Sequence, residues 1–414
     1  MNDTGQPAII NPEAAEKNDE QDWRWQMRNS ISSSAQIAQL LNLSEDETKQ
    51  LQEVCEIFPL QITPYYAKLI DSSDPNDPIR NQIVPDKREI NELKTLAKIK
   101  GQTLQEYIAG LVCDGRVGGW DNPEQFIDRE HTVEQKYPNR VAWLITKICP
   151  AWCRHCVRRV MSKDSIAQNP SPERLGSAIK AITEKQEVND VLITGGDAFM
   201  VPTQTVDDVL TRLLAIDHIT SVRFGTRTPV TLPQRITSDP ELIEVLKRHT
   251  EEATEQGKII WVNTQFNHPN EITPESKAAI KALRSTGCEL GNQSVLMRDV
   301  NNDIEILEIL FGQLSRLGVR PYYLYQGIPT AGTNFRYTTV SEGLGLMRQM
   351  YERQNLSGFE KPRYILADSE QGKIPLPPPG VSYEITEERD EQGVEYEVFK
   401  FPWKGAEVEY KSSK

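Results

Sequence analysis

Between about residues 138 and 345, short runs rich in β-branched and aromatic residues alternate with longer segments whose apolar positions recur every three or four residues. The short runs predict strands over 141–146, 190–194, 221–224, 259–266, 289–295 and 320–325. Three of the intervening segments open alike, with Ser171-Pro-Glu173, Asp239-Pro-Glu241 and Thr273-Pro-Glu275. Each triplet supplies a helix N-cap, a proline at the first helical position and an early acid that suits the positive end of the helix dipole. Strands alternating with helices pair in parallel through right-handed crossovers, which predicts an α/β fold, either a barrel or an open doubly wound sheet. In both architectures ligands sit beyond the C-terminal strand ends.

The flanks differ. Residues 1 to 20 are polar and predict a disordered tail, and Asp22-Trp-Arg-Trp25 marks where packing begins. From 21 to 135 the pattern predicts helices, of which 44–58 is the clearest, with acids near its start and Leu51, Val54, Cys55 and Ile57 on one face. Asp71 to Pro78, with two Asp-Pro steps, predicts a loop. After about 345 the pattern changes to loops and short β-like pieces, including a strand-like run at 394–402. The prolines from Pro375 to Pro379 exclude a helix or central strand there. The expected division is therefore a tail, a helical region over 21–135, a barrel over 136–345 and a C-terminal region over 346–414.

Length and composition narrow the class. A chain of 414 residues can bury a large core, and its 38% hydrophobic and 26% charged residues suit a globular protein. No apolar run approaches the roughly 20 residues that span a bilayer. The start lacks the basic, apolar and small-residue segments of a signal peptide, so a cytoplasmic location is expected, with no membrane partner. A net charge of -13 argues against a general nucleic-acid binder, which needs a basic face.

Six cysteines do not make a secreted disulfide framework, and three of them lie within eight residues, at Cys149, Cys153 and Cys156. Thiols at that spacing can turn toward one point from a single loop, and thiolates are the ligands of iron–sulfur clusters. Cys55, Cys113 and Cys288 are scattered and read as small hydrophobes. The cysteine loop follows the first predicted strand of the alternating region, which puts it at the C-terminal mouth. Gly195-Gly196-Asp197 follows the second strand at the same mouth. Its glycines let backbone approach a ligand closely, and Asp197 can accept a hydrogen bond from an amine or hydroxyl.

The Cys-x3-Cys-x2-Cys loop resembles that of the radical S-adenosylmethionine superfamily, which holds a four-iron, four-sulfur cluster ([4Fe-4S]) whose open iron is chelated by S-adenosylmethionine. Further stretches narrow the resemblance: Tyr137-Pro-Asn-Arg140, Cys153-Arg-His-Cys-Val-Arg-Arg159, Gly195-Gly-Asp197, Thr226-Arg-Thr-Pro229, Phe266-Asn-His-Pro-Asn-Glu-Ile272, Gly291-Asn-Gln-Ser294 and Gly372-Lys-Ile-Pro375. Together with Asp22-Trp-Arg-Trp25 and Ile62-Thr-Pro-Tyr-Tyr66 they resemble the lysine 2,3-aminomutase family over roughly residues 20 to 380.

That resemblance implies a partial (β/α)6 barrel with a C-terminal extension for pyridoxal phosphate. It implies an isomerase that moves the amino group of a free amino acid from carbon 2 to carbon 3. Cys149, Cys153 and Cys156 would hold the cluster, and Lys373 would carry pyridoxal 5'-phosphate as a Schiff base. Lys136, Tyr137 and Arg140 would lie near the cofactor phosphate, with Lys136 standing where the family usually has arginine. Gly195, Gly196 and Asp197 would face S-adenosylmethionine, and Arg158 would pair with the substrate carboxylate as a bidentate donor. An electron donor such as flavodoxin or ferredoxin and a homo-oligomeric state are implied too. His155 is expected to be oriented by the loop, and His268 to be a hydrogen-bonded structural histidine.

The sequence departs from lysine-specific members at the side-chain site. Those members hold the distal ammonium with two aspartates. Ile328 stands at the place of the first, and either Leu366 or Asp368 at the second, depending on whether the loop before Lys373 is two residues shorter. A buried ammonium short of a carboxylate loses much of its compensation, so the expected substrate is glutamate or a neutral amino acid rather than lysine. Ser369-Glu-Gln371 replaces most of the family's glycine run, and no cysteine follows Cys288 in this sequence, so the cysteine-rich zinc extension of some members is not expected. Two other readings remain: a relative that modifies a lysine of another protein, and a non-enzymatic protein that binds structural zinc through three cysteines and a histidine.

Overall fold

The computed structural model describes residues 20–113, 125–128, 132–159, 170–328, 330–390 and 393–414. The tail expected before residue 20 thus falls almost wholly outside the described residues. The chain opens with helices whose caps explain their bounds. Ser44 and Glu47 form a reciprocal capping box at the head of Glu45–Ile57, and Asp86 with Glu89 does the same for Lys87–Ile99. Among the described residues no helix is long and apolar enough to cross a membrane.

A nine-stranded sheet follows, with strands in the order of the chain: β1 (Val133–Tyr137), β2 (Arg140–Thr146), β3 (Asp190–Gly195), β4 (Ser221–Gly225), β5 (Ile259–Thr264), β6 (Glu289–Leu296), β7 (Arg320–Gln326), β8 (Arg363–Asp368) and β9 (Gly372–Pro375). From β2 to β8 every neighbour is parallel. The six predicted strands are β2 to β7. The helices between them begin at the predicted caps, with Ser171, Asp239 and Thr273 each accepting a backbone N–H. The core lies between strands and helices, where Val191, Ile193, Val222, Phe224, Ile260 and Val262 are all buried.

Three strands of this sheet, β1, β8 and β9, were not predicted. β1 pairs antiparallel with β2, and β9 pairs antiparallel with β8, so the parallel run is bracketed by two hairpin edges. Those edges meet: the Lys373 backbone N–H on β9 donates to the Tyr137 Oη on β1 at 2.6 Å. The sheet therefore curls into a nearly closed barrel. Gly372 makes the approach possible, because it lies at φ +77° and a Cβ there would collide with the Tyr137 ring hydroxyl.

Residue 345, the expected barrel boundary, lies inside the helix Val340–Arg353, which leads to β8. A separate three-stranded antiparallel sheet of β10 (Glu384–Arg389), β11 (Glu395–Trp403) and β12 (Ala406–Ser413) ends the chain. It is fastened to the barrel where Tyr410 Oη donates to the Gly327 carbonyl at 2.6 Å.

Candidate active site

The barrel encloses a cavity of about 410 Å³ that runs from the cysteine loop at the C-terminal ends of β2 and β3 to Lys373 at the seam between β9 and β1. Cys149, Cys153, Cys156, Arg158, Gly195, Gly196, Asp197, Ile328 and Lys373 all line it. Residues up to 224 positions apart in sequence thus share one space, and the curl of the sheet is what joins them.

The cysteine loop is held from below by the N-terminal helices. Gln61 Nε2 donates to the Cys149 carbonyl at 2.7 Å, and the Trp152 and Arg154 N–H groups donate to the Gln61 and Gln82 carbonyls, both at 2.9 Å. Glu89, fully buried, receives Arg154, Arg159 and Arg336 at 2.5–2.8 Å. Burial alone would raise its carboxyl, but the three guanidiniums hold it down at about 2. This buried cluster ties the middle of the cysteine loop and the residues just after it to the helix Lys87–Ile99.

The Gly195-Gly196-Asp197 turn locks onto the same loop. Gly196 N–H donates to the Thr146 carbonyl at 2.6 Å and Asp197 N–H to the Ile148 carbonyl at 2.8 Å. Gly195 has φ +121°, and a Cβ on either glycine would land on those backbone atoms. Asp197 is buried with its carboxylate already engaged: it accepts from Phe199 N–H at 3.0 Å, Thr226 Oγ1 at 2.6 Å and Arg227 N–H at 2.6 Å. Its first task is thus to fix the loop after β4, which leaves room for at most one further donor on a carboxylate.

The three thiols fit an iron–sulfur cluster in their chemistry. Burial pushes the Cys149 thiol well up, with nearby Cys156, Asp197 and Cys153 pushing it further, and burial raises the Cys156 thiol too, so a thiolate at either position calls for a cation beside it. Among the described residues no three His, Cys, Asp or Glu side chains converge as ligands of a single ion. Cys288 is buried elsewhere against Thr250, and Cys55 is half-buried at the helical region, so neither could add a ligand; the Cys113 side chain lies outside the described residues. His155 is buried and neutral, with its Nδ1 unpaired, and His268 Nδ1 accepts from Asn270 N–H at 3.1 Å.

At the other end Lys373 stands against the aromatic face of β7, with Nζ 4.8 Å from the Tyr323 ring centroid and 5.5 Å from that of Tyr325. Burial, then Arg223 and Arg140, bring its ammonium down from 10.5 to about 7. An amine about half neutral near pH 7 is what addition to an aldehyde needs. Tyr137 and Arg140 stand at the seam beside Lys373, with the Arg140 guanidinium stacked 4.5 Å from the Tyr137 ring centroid. Lys136 is ion-paired with buried Glu134 at 3.1 Å. The cationic group beside Lys373 fits a phosphate, although Lys136, Tyr137 and Arg140 are not on the cavity wall itself.

Neither of the two alternatives for a second side-chain contact, Leu366 or Asp368, lines the cavity. Leu366 is 2% exposed in the core, and Asp368 Oδ1 accepts from the Glu370 and Gln371 N–H groups at 2.8 and 2.7 Å, closing the β8–β9 turn. The strand alternation turns Ala367 between them onto the cavity wall, directly across from Lys373 in the hairpin register. Sequence reasoning also passed over Arg227, Asn263, Thr264, Gln265, Gln293 and Tyr325, all on the wall. Asn263 and Thr264 were visible only as the polar end of an apolar strand; the buried Asn263 amide and Thr264 hydroxyl find no protein partner, as befits groups kept for a polar ligand.

No family model matches the chain. It is 37% identical over 370 residues to an L-lysine 2,3-aminomutase of Clostridium subterminale, covering 89% of this chain and 80% of the relative. A Fusobacterium nucleatum L-lysine 2,3-aminomutase is 36% identical over 358 residues, 86% of this chain and 76% of the relative. A glutamate 2,3-aminomutase of Clostridioides difficile is 34% identical over 365 residues, 87% and 78% of the two chains. With identity at this level across most of both partners, the chain belongs to the lysine 2,3-aminomutase family.

Proposed function

We propose that this protein is an amino acid 2,3-aminomutase that uses a [4Fe-4S] cluster, S-adenosylmethionine and pyridoxal phosphate, and that its substrate is a free amino acid with an uncharged side chain. The observation that carries the reading is the single cavity with the cysteine trio at one end and Lys373 at the other. In this reading β2 to β7 form a partial (β/α)6 barrel, and the described N- and C-terminal regions close its two sides.

When bound, the cluster with S-adenosylmethionine supplies a carbon-centred radical and pyridoxal phosphate supplies the conjugated system that lets nitrogen migrate. Cys149, Cys153 and Cys156 would hold the cluster, and Asn263 and Thr264 offer donors and acceptors to the nucleoside-bearing ligand beside it. Lys373 would hold pyridoxal phosphate, with Arg140, Tyr137 and Lys136 near the phosphate. Arg158, whose backbone N–H donates to Cys156 Sγ at 3.4 Å, would turn its guanidinium to the substrate carboxylate. Reduction calls for an external one-electron donor of the flavodoxin or ferredoxin kind.

Selectivity follows from the wall. Among the described residues its one carboxylate is Asp197, which already accepts from Thr226, Arg227 and Phe199 and so is a poor partner for a side-chain ammonium. Ile328, Ala367, Val295 and Leu192 instead offer apolar surface. An ammonium buried there would forfeit several kcal/mol of solvation.

The test is anaerobic reconstitution followed by incubation with single amino acids, S-adenosylmethionine, pyridoxal phosphate and dithionite, reading β-amino products by mass spectrometry. A neutral amino acid is expected to react fastest. Lysine as the best substrate would overturn the side-chain assignment. Deoxyadenosine release on a lysine-containing peptide, with no β-amino product from any free amino acid, would point to the protein-modifying relative. Zinc in place of iron, with no visible absorbance, would overturn the enzyme reading.

A further inference from the structure

Arg227 lies just beyond β4, buried, with every part of its guanidinium held by a different element. Nε donates to the Gln265 carbonyl at 3.2 Å after β5, and Nη2 donates to Tyr66 Oη at 3.1 Å, Gln82 Oε1 at 2.6 Å and Glu271 Oε1 at 2.8 Å. Its Nη1 reaches Cys153 Sγ at 2.6 Å. Its backbone N–H is also the donor that fixes Asp197.

This is a costly arrangement unless the cation has a counter-charge. Glu271 is fully buried and shared: Oε1 also accepts from Tyr66 Oη at 2.7 Å, while Oε2 accepts from Asn267 N–H at 2.5 Å and His268 N–H at 3.0 Å. One carboxylate thus serves a backbone turn and a guanidinium together, and the guanidinium's free edge points at sulfur. Four partners fix a planar cation whose remaining donor touches the middle cysteine of the trio, and that placement serves a sulfur carrying negative charge.

We propose that Arg227 is a positioning residue that sets the reduction potential of the cluster held by Cys153, its guanidinium stabilising the added electron. The inference rests on the cluster reading above. In the step concerned, a one-electron reductant gives one electron to the cluster, whose net charge falls by one, and no bond is broken in the protein. A cation hydrogen-bonded to a ligand sulfur favours the more negative state, so it raises the potential.

The experiment is a potentiometric titration of the full-length reconstituted protein with dithionite, read by electron paramagnetic resonance, without substrate or turnover. Arg227→Gln is expected to lower the ratio of reduced to oxidised cluster at a fixed potential by about tenfold, equivalent to 59 mV for a one-electron couple. Arg227→Lys keeps the charge without the fork and is expected to recover most of that ratio. A merely structural guanidinium would leave Lys as impaired as Gln. Iron and sulfide content are measured on each protein. A wild type that assembles no cluster refutes the cluster reading itself. Equal potentials in wild type and Arg227→Gln with full iron content refute the role of Arg227 alone. Should Arg227→Gln fail to load iron, Arg227→Lys decides: a near-native potential supports the proposal, and a drop as large as tenfold overturns it.

Discussion

Lys373 can be tested before any substrate is known. Burial and the nearby Arg223 and Arg140 bring its ammonium from 10.5 to about 7. That displacement corresponds to roughly 5 kcal/mol against the charged form, at about 1.36 kcal/mol per unit. Around pH 8 about nine in ten such amines carry a free lone pair, against roughly 0.3% of an ordinary lysine. Brief exposure of the protein to pyridoxal phosphate, borohydride trapping and quantitation of the Lys373 peptide should give a labelling curve with its midpoint near pH 7. Arg223→Gln removes one of the two cations and should move the midpoint upward. A wild-type midpoint near pH 10, or total labelling at neutral pH undiminished in Lys373→Ala, would refute the assignment of a buried reactive amine.

The same shift fixes the sign of a stability effect. The folded pKa lies below the unfolded one, so the unfolded chain binds this proton more tightly. The contribution of Lys373 to stability is therefore present above about 10.5 and is lost as pH falls through about 7. Lys373→Met, which removes the amine and keeps the stem's bulk, should raise the unfolding midpoint most at neutral and lower pH and least near pH 10.

Three other outcomes follow from the geometry. Gly196→Ala puts a methyl against the Ile148 carbonyl and should cost about 1–3 kcal/mol in urea unfolding, whereas Gly176→Ala, in an open helix position, should be neutral or stabilising by about 0.5–1 kcal/mol. Tyr137→Phe strips the acceptor from the Lys373 N–H at the seam and should cost about 1–3 kcal/mol, with faster hydrogen exchange of that amide as the specific readout. Ile328→Asp adds a carboxylate to the cavity wall; calorimetric titration should show lysine affinity rising relative to leucine, with some loss of stability from the buried charge.

The parallel strands were legible because each sets β-branched or aromatic residues at alternate positions, one face fully buried, between helices with strong caps. β1 and β9 carry no such signal. Val133–Tyr137 reads Val-Glu-Gln-Lys-Tyr and Gly372–Pro375 ends in proline, so neither shows a strand period, yet as hairpin edges they need only one partner each. The helix Val340–Arg353 was missed although Thr339 and Glu342 form a capping box that the sequence displays. β8, an apolar Tyr-Ile-Leu-Ala run, was hidden among loops.

The same logic separates the two ends of the cavity. The cysteine trio sits on one loop, so its spacing survives in one dimension. Ala367 and Lys373 come together through the β8–β9 register, and Arg227 reaches Cys153 across 74 residues; both depend on how far the sheet curls, which no local pattern encodes. The apolar wall at Ile328 and Ala367 rests on β7, β8 and their turns, and the segment after Ile328 joins the clamp on the cysteine loop, since Arg336 pairs with Glu89 and Arg159 donates to the Ala331 carbonyl. Ile328 itself takes no part in those ion pairs, so a side-chain exchange there alters the wall while Glu89 keeps the three arginines that hold the cysteine loop. In the proposed reading, that is how a chain so similar to lysine aminomutases would carry a wall for an uncharged side chain.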